Sequence, residues 1–146
     1  MKKAKYMVYR MHNKTTGDSI NLYFLPEDSV MRTANRISTL AEFQIKGYVV
    51  TAFMFANEEG YYNAKLTDVV NSFLKQYEAE EKYRKMYRKG EIPRELAVQT
   101  IRLCRNYENT CLASIHRLLR RMSRNDIPCH NEMAIQLDDF YSNEIL

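Results

Sequence analysis

The sequence predicts an α+β fold, with an N-terminal β-β-α-β unit (a three-stranded sheet and one helix) and a C-terminal region of three to four helices. Three observations lead to this prediction. Segments rich in β-branched and aromatic residues are concentrated in the first 60 residues. Apolar residues at helical spacing dominate the remainder. Only four glycines and three prolines interrupt 146 residues, which favours long helices over a many-turned β-sandwich.

Three strands are predicted in the N-terminal part. Residues 5–12 are rich in β-formers, and residues 20–25 are the expected returning strand of a hairpin, because the turn-type residues 13–18 lie between them. Pro26 ends the second strand. The third strand, Tyr48–Ala56, is apolar on both faces, so we expect it to be a central strand that is covered on both sides.

The helix between the second and third strands is predicted from its ends and its spacing. Asp28 and Ser29 are both good N-caps, and Lys46 followed by Gly47 is typical of a helix C-terminus. We expect an apolar stripe on this helix to pack inward. The stripe consists of Val30, Ala34, Ile37, Ala41 and Ile45.

A second helix is predicted after a loop at residues 57–60. Its apolar stripe runs from Leu66 to Tyr77 and then fades, so we expect the helix to leave the core beyond Tyr77 and to end at Gly90. Local i,i+4 ion pairs are expected to hold that distal part. The pairs are Glu78/Lys82, Glu80/Arg84 and Glu81/Lys85.

Two further helices complete the prediction. A helical pattern extends from Pro93 to about Arg124, and we expect a break near residues 106–109, because two asparagines are poor helix formers and Glu108 would otherwise fall on the apolar side. Asn131 is the expected N-cap of a short, acidic final helix. The inward residues expected there are Met133, Leu137 and Phe140.

Length and composition bound the organisation of the chain. The 146 residues fit one domain, with residues 1–60 forming its β-β-α-β portion and residues 61–146 its helical portion. Three cysteines favour a reducing compartment over a disulfide framework. The basic start, residues 1–5, resembles that of a signal peptide, but Arg10 interrupts the apolar run after it. We therefore expect a cytoplasmic protein without a membrane segment.

Charge is distributed unevenly along the sequence, although the net charge is only +4. Residues 74–125 carry thirteen Lys/Arg against six Asp/Glu, whereas residues 126–146 carry five acidic residues and no basic one. Such asymmetry concerns partners and not the fold. The acidic end either folds back on the arginines before it, or leaves two surfaces of opposite sign open.

The candidate macromolecule-binding residues lie in two basic clusters. Residues 82–89 interleave cations with tyrosines, but their neighbouring glutamates favour an ordinary solvated helix there. The arginines at 117–124 lack acids nearby in sequence, so more weight falls on them. The candidate residues are Lys82, Tyr83, Lys85, Tyr87, Arg88, Arg117, Arg120, Arg121 and Arg124.

Signs of catalysis or metal binding are weak. Cys104 and Cys111 are seven positions apart, about 10.5 Å along a helix, too far for two ligands of one zinc ion, so they are expected to be core residues. Cys129-His130 is more suggestive but lacks a third ligand. No phosphate-binding, metalloprotease or nucleophile-elbow motif occurs. The sequence predicts no cofactor, no metal and no catalytic residue.

The sequence therefore favours a non-enzymatic binding protein of regulatory or inhibitory type with a protein or nucleoprotein target. Eleven tyrosines and eight methionines support this, since both are adaptable contact residues. The composition, poor in Gly and Pro, is of the kind encoded by phages and mobile elements, which suggests an inhibitor of host or defence machinery. The alternatives are a direct DNA- or RNA-binding protein and a small metal-independent nuclease using His12, His116 and Arg120.

Overall fold

A three-stranded antiparallel sheet and four helices form the part of the chain, residues 5–145, that the computed structural model describes. The predicted α+β fold is confirmed. Residues 1–4 of the basic N-terminal run lie outside the described residues. The elements are β1 (Tyr6–Asn13), β2 (Ser19–Phe24), α1 (Val30–Ile45), β3 (Tyr48–Ala56), α2 (Glu58–Arg88), α3 (Arg94–Arg124) and α4 (Glu132–Glu144).

The chain divides into two compact units, with the division between Tyr62 and Asn63. The first contains the sheet and α1, and the second contains α3, α4 and most of α2. The single domain that the chain length predicts stays a prediction. Within residues 5–145, no helix is long and apolar enough to cross a membrane.

The strand order is β2-β1-β3, so the expected central position of β3 is wrong. β1 pairs antiparallel with β2, from Met7 opposite Phe24 to His12 opposite Ser19, and with β3 on its other side. Most side chains of β3 are exposed, including Met54 at 58%. The strand is apolar on both faces, yet it is an edge strand. One side of β1 is taken by β2 in the hairpin, so β3 pairs with the other side of β1 and has no further strand beyond it among the described residues.

Asn13 joins the hairpin turn to the end of α1. Its buried side chain accepts hydrogen bonds from the Thr15 and Thr16 amides, at 2.9 and 3.2 Å, and donates one to the Lys46 carbonyl at 3.1 Å. The following residue, Gly47, has φ +99°, and a Cβ there would lie 3.4 Å from the Asn13 amide. Side-chain hydrogen bonds therefore hold both the predicted turn and the predicted helix end.

We expect Asn13→Ala to lower the free energy of unfolding by about 2 kcal/mol, because it removes three hydrogen bonds made by a buried side chain. Urea denaturation followed by circular dichroism measures this loss. Asn35→Ala is the matched control, since Asn35 is exposed on α1. Equal losses in the two variants would contradict the role given to the Asn13 side chain.

The α1 helix begins after Ser29, as predicted, and the Ser29 hydroxyl accepts a hydrogen bond from the Arg32 amide at 3.3 Å. The expected inward stripe is wrong: no residue of α1 is buried, and Val30 and Ile45 are 85% and 87% exposed. Arg36 instead forms an ion pair with Glu27 and donates a hydrogen bond to the Tyr9 hydroxyl at 3.3 Å. These polar contacts turn the opposite face of the helix toward the sheet.

The predicted loop at residues 57–60 is wrong, because α2 already begins at Glu58. Asn57 acts as the cap: its side-chain oxygen accepts a hydrogen bond from the Gly60 amide at 2.7 Å. Two glutamates in the first turn suit the positive end of the helix dipole. The predicted end at Gly90 is confirmed, since α2 stops at Arg88 and Gly90 has φ +72°.

The α3 helix is unbroken over 31 residues, so the break expected near residues 106–109 is wrong. Asn106 and Asn109 are exposed, where their lower helix propensity costs only tenths of a kcal/mol. Glu108 does fall on the buried side and is 8% exposed. The continuous helix therefore includes a buried carboxyl group that the broken one would have avoided.

The second unit has its core between α2, α3 and α4. Phe73, Cys111 and Leu112 form a buried cluster against which Leu137 and Tyr141 of α4 pack. Asn131 caps α4 as predicted, accepting a hydrogen bond from the Ala134 amide at 3.1 Å. The inward set expected for α4 is wrong in two members, because the side chains of Met133 and Phe140 are about half exposed.

Candidate functional site

Four arginines near the C-terminal end of α3 form the arginine face, defined here as Arg117, Arg120, Arg121 and Arg124. All four are exposed, and their i, i+3, i+4, i+7 spacing puts them on one side of the unbroken helix. Arg117 donates a hydrogen bond to the Ser114 hydroxyl at 3.3 Å. Among the described residues, Arg117, Arg120 and Arg124 form no ion pair.

The acidic helix α4 does not cover the arginine face. Asp138 forms a hydrogen bond with His116 at 2.7 Å, and the His116 ring stacks on Tyr141 at 5.5 Å. Asp126 and Asp139 are exposed. For Arg117, Arg120 and Arg124, the structure shows the second arrangement open from the sequence, in which no described acidic residue pairs with them.

The arginine face continues onto α2 at Lys65. Burial lowers the pKa of the Lys65 ammonium, and the positive charge of Arg121 lowers it further. Two cations on neighbouring helices therefore lie close together.

The second basic cluster lies at the other end of α3. Lys82, Lys85, Tyr87 and Arg88 are exposed, and Tyr83 is half-buried. A cavity of about 320 Å³ there is lined by Arg84, Tyr87, Arg88, Arg94, Ala97, Val98 and Ile101. Arg117 lies about 23 residues beyond Arg94, roughly 34 Å along the helix. The structure therefore does not bring the two predicted clusters together.

Helix α2 also departs from its predicted path beyond Tyr77. Glu80 is buried, and its carboxylate lies 3.6 Å from Arg84 and 3.0 Å from Arg105 of α3. Of the three expected local pairs, only Glu80–Arg84 lies within ion-pair distance among the described residues. The expectation that α2 leaves the core there is therefore wrong, because a contact to α3 holds it in place.

Exposed apolar residues lie on the same side of α3 as the arginine face. Leu103 is 69% exposed, and Leu96 and Tyr107 are about half exposed. Helical periodicity puts Leu103 within about 40° of Arg117 around the helix axis. Sequence reasoning missed these residues, although apolar residues outside the buried side of an amphipathic helix are the signal that marks them.

A buried carboxyl pair lies beside a second cavity in the helical unit, of about 400 Å³. Glu80 and Glu108 are 5% and 8% exposed, and both line it. Burial and the negative charge of Glu80 raise the pKa of Glu108 to about 7, although Arg105 acts in the opposite direction. Glu108 Oε2 is buried and has no hydrogen-bond partner among the described residues.

The three cysteines all lie in the helical unit, and none is fully exposed. Cys104 and Cys111 are buried, and burial raises the pKa of both thiols, which makes them poor nucleophiles. The Cys129 thiol lies 3.5 Å from the Asn131 carbonyl oxygen. No group of three His, Cys, Asp or Glu residues in this part of the chain is placed to hold a metal ion.

No family model, no curated protein and no solved structure matches this chain.

Proposed function

We propose that the chain is a non-enzymatic binding protein of regulatory or inhibitory type, which engages a protein or nucleoprotein target through the arginine face. The observation that carries this proposal is the exposure of Arg117, Arg120 and Arg124 without any ion pair to a described residue. Clustered like charges repel one another, and an acidic partner relieves that repulsion. Three free cysteines support a cytoplasmic location.

Exposed apolar residues further along α3, with Leu103 about 21 Å from Arg117, favour a protein or nucleoprotein over bare nucleic acid. Leu103 and Tyr107 offer apolar contact area, which binding to phosphate groups does not require. Arg and Tyr are also enriched in the hot spots of protein–protein interfaces. Within the class of regulatory binding proteins, we propose an inhibitor of host or defence machinery, encoded by a phage or mobile element.

Direct DNA or RNA binding is the second candidate, because four exposed arginines on one side of a helix suit a row of phosphates. Binding to nucleic acid alone would weaken steeply with salt, by roughly one unit of log–log slope for each neutralised phosphate. The metal-independent nuclease stays a hypothesis with no observation of its own to favour it.

We expect the triple variant Arg117→Ala/Arg120→Ala/Arg124→Ala to lose its target, with affinity reduced at least tenfold, because it removes three cations from the contact. The measurement is affinity purification from the native host with protein and nucleic acid both identified, followed by titration of the purified target. Circular dichroism should show unchanged helix content, since all three side chains are exposed.

The matched control is Lys82→Ala/Lys85→Ala/Arg88→Ala, which removes the same charge from the other basic cluster. It should retain the target. Retention of every partner by the arginine-face variant, or equal loss in both variants, would refute the assignment to this face. Recovery of nucleic acid alone, with salt-sensitive binding, would establish the second candidate instead.

A further inference from the structure

The 400 Å³ cavity beside Glu108 is separate from the arginine face and has the size of a small-molecule site. We propose that it binds a small organic amine, with an apolar ring-sized body and one protonated nitrogen that donates a hydrogen bond to Glu108 Oε2. The inference concerns a second binding activity and does not depend on the proposed macromolecular target.

Glu108 supplies the polar anchor of the site. Its side chain is more than nine-tenths buried and lines the cavity, and its Oε2 atom has no hydrogen-bond partner among the described residues. A buried acceptor without a donor costs free energy. A ligand that donates a hydrogen bond to this atom removes that cost, and the bond therefore favours binding. The carboxyl group selects a donor and, when ionised, a positively charged one.

Of the two buried glutamates at the cavity, Glu80 has arginine partners, and Glu108 has no cation within ion-pair distance among the described residues. Arg84 and Arg105 lie 3.6 and 3.0 Å from Glu80, whereas no described cation lies within ion-pair distance of Glu108. The groups that face Glu108 are Glu80 and Arg84 from α2, and Arg105, Cys104 and Cys111 from α3. The lining residues from the C-terminal end of the chain, Phe140 of α4 and Ile145 just after it, are uncharged.

Aromatic side chains form much of the cavity wall. Phe73 and Tyr77 stack with their ring centres 6.3 Å apart, and Phe140 contributes a third ring from α4. Leu112 adds an aliphatic surface. Aromatic faces attract cations and also favour apolar rings, so the wall suits an amine attached to a ring. An anionic ligand would meet two glutamates and is disfavoured.

A proton shared between Glu80 and Glu108 is the competing explanation of the orphan oxygen. A hydrogen bond between these side chains contributes to the raised pKa of Glu108, so protonated Glu108 and ionised Glu80 form a pair without any ligand. The two explanations differ above pH 7. If the amine pairs with ionised Glu108, its affinity rises above pH 7. If Glu80 and Glu108 share a proton at every pH, the affinity for the amine does not depend on pH.

The test is a titration of the full chain with 2-phenylethylamine at pH 8, followed by amide chemical shifts in nuclear magnetic resonance. For a ligand of this size we expect a Kd of about 1 mM. The neutral isostere 2-phenylethanol should bind about tenfold more weakly. Lowering the pH to 5.5 should weaken the amine, and not the alcohol, by about tenfold, because Glu108 then holds its proton.

Three variants complete the test. Glu108→Gln should weaken the amine about tenfold, leave the alcohol unchanged and abolish the pH dependence. Glu95→Gln, which changes the same charge at an exposed position of α3, should leave both ligands unaffected. Phe140→Ala should weaken both ligands, because its half-exposed ring is part of the wall.

Equal affinity for amine and alcohol, an amine affinity independent of pH, or shift changes confined to residues outside the cavity would each overturn the proposal. An amine affinity unchanged by Glu108→Gln would do the same.

Discussion

Above pH 7 the Glu108→Gln variant is expected to be more stable than the wild type, by at most about 3.4 kcal/mol. Glu108 is 8% exposed, and its pKa is raised from 4.5 to about 7 by burial first and by the charge of Glu80 second. Glutamine has nearly the same shape and never carries the charge. The variant therefore avoids the cost of ionising a carboxyl group inside the helical unit.

The sign of the pH dependence follows from proton binding. In the unfolded chain the carboxyl group loses its proton near pH 4.5, whereas in the folded protein it keeps the proton up to about pH 7. Between these values the folded state binds more protons, so rising pH lowers the free energy of unfolding of the wild type. The loss is complete above pH 7 and absent below pH 4.5.

Urea denaturation at half-unit steps from pH 5 to 8 measures this effect. The difference between Glu108→Gln and wild type should widen by about 1.4 kcal/mol per pH unit until pH 7 and then level off. Glu95→Gln, on an exposed position of the same helix, should show no widening. A constant difference for Glu108→Gln would mean that the carboxyl group titrates as it does in water.

Ile115→Ala is expected to lower the free energy of unfolding of the helical unit by about 2 to 5 kcal/mol. Ile115 of α3 is 0% exposed, so its truncation removes buried methyl groups and leaves a cavity. Leu103→Ala is the matched control, because Leu103 is a similar aliphatic residue of the same helix that is 69% exposed. It should change stability by less than about 0.5 kcal/mol.

Hydrogen exchange of the same variant tests the single domain predicted from the length of the chain. If all 146 residues unfold together, the amides of β1 should lose as much protection as those of α3. Protection that falls in α3 and not in β1 would mean that the sheet unit unfolds separately.

Comparable losses of unfolding free energy in Leu103→Ala and Ile115→Ala would contradict the buried position of Ile115.

Features that depend on neighbours in sequence were predictable. The turn after β1, the capping of α1 by Ser29 and the capping of α4 by Asn131 each rest on side chains within a few residues of the backbone groups they satisfy. The end of α1 was predictable from the positive φ that Gly47 adopts, although the distant Asn13 also bonds to it. Composition and periodicity were enough for the α+β class, because strands and helices differ in the spacing of their apolar residues.

Features that depend on distant partners were not predictable. An apolar strand such as β3 suits a central position, but pairing across the sheet made it an edge. The stripe on α1 has helical spacing, yet no residue of the helix is buried, and Arg36, which pairs with Glu27, lies on another face. Periodicity shows that a face is apolar and does not show what covers it.

The candidate sites divide in the same way. The spacing of the arginine face follows from the sequence, but its exposure depends on Asp138 contacting His116 instead of an arginine. Glu80 and Glu108 lie on different helices, so no local pattern pairs them. Avoidance of a buried glutamate led to the expected break in α3, whereas the intact helix contains that glutamate and lines a cavity with it.

The unbroken α3 sets a minimum size for any partner that touches both basic clusters at once. The roughly 34 Å between Arg94 and Arg117 is about one turn, or ten base pairs, of a B-form duplex. It is also about the diameter of a globular domain of 100 residues. A short peptide or a hexanucleotide duplex can occupy only one cluster. A folded domain or a longer duplex can contact both clusters, whose separation the continuous helix α3 fixes.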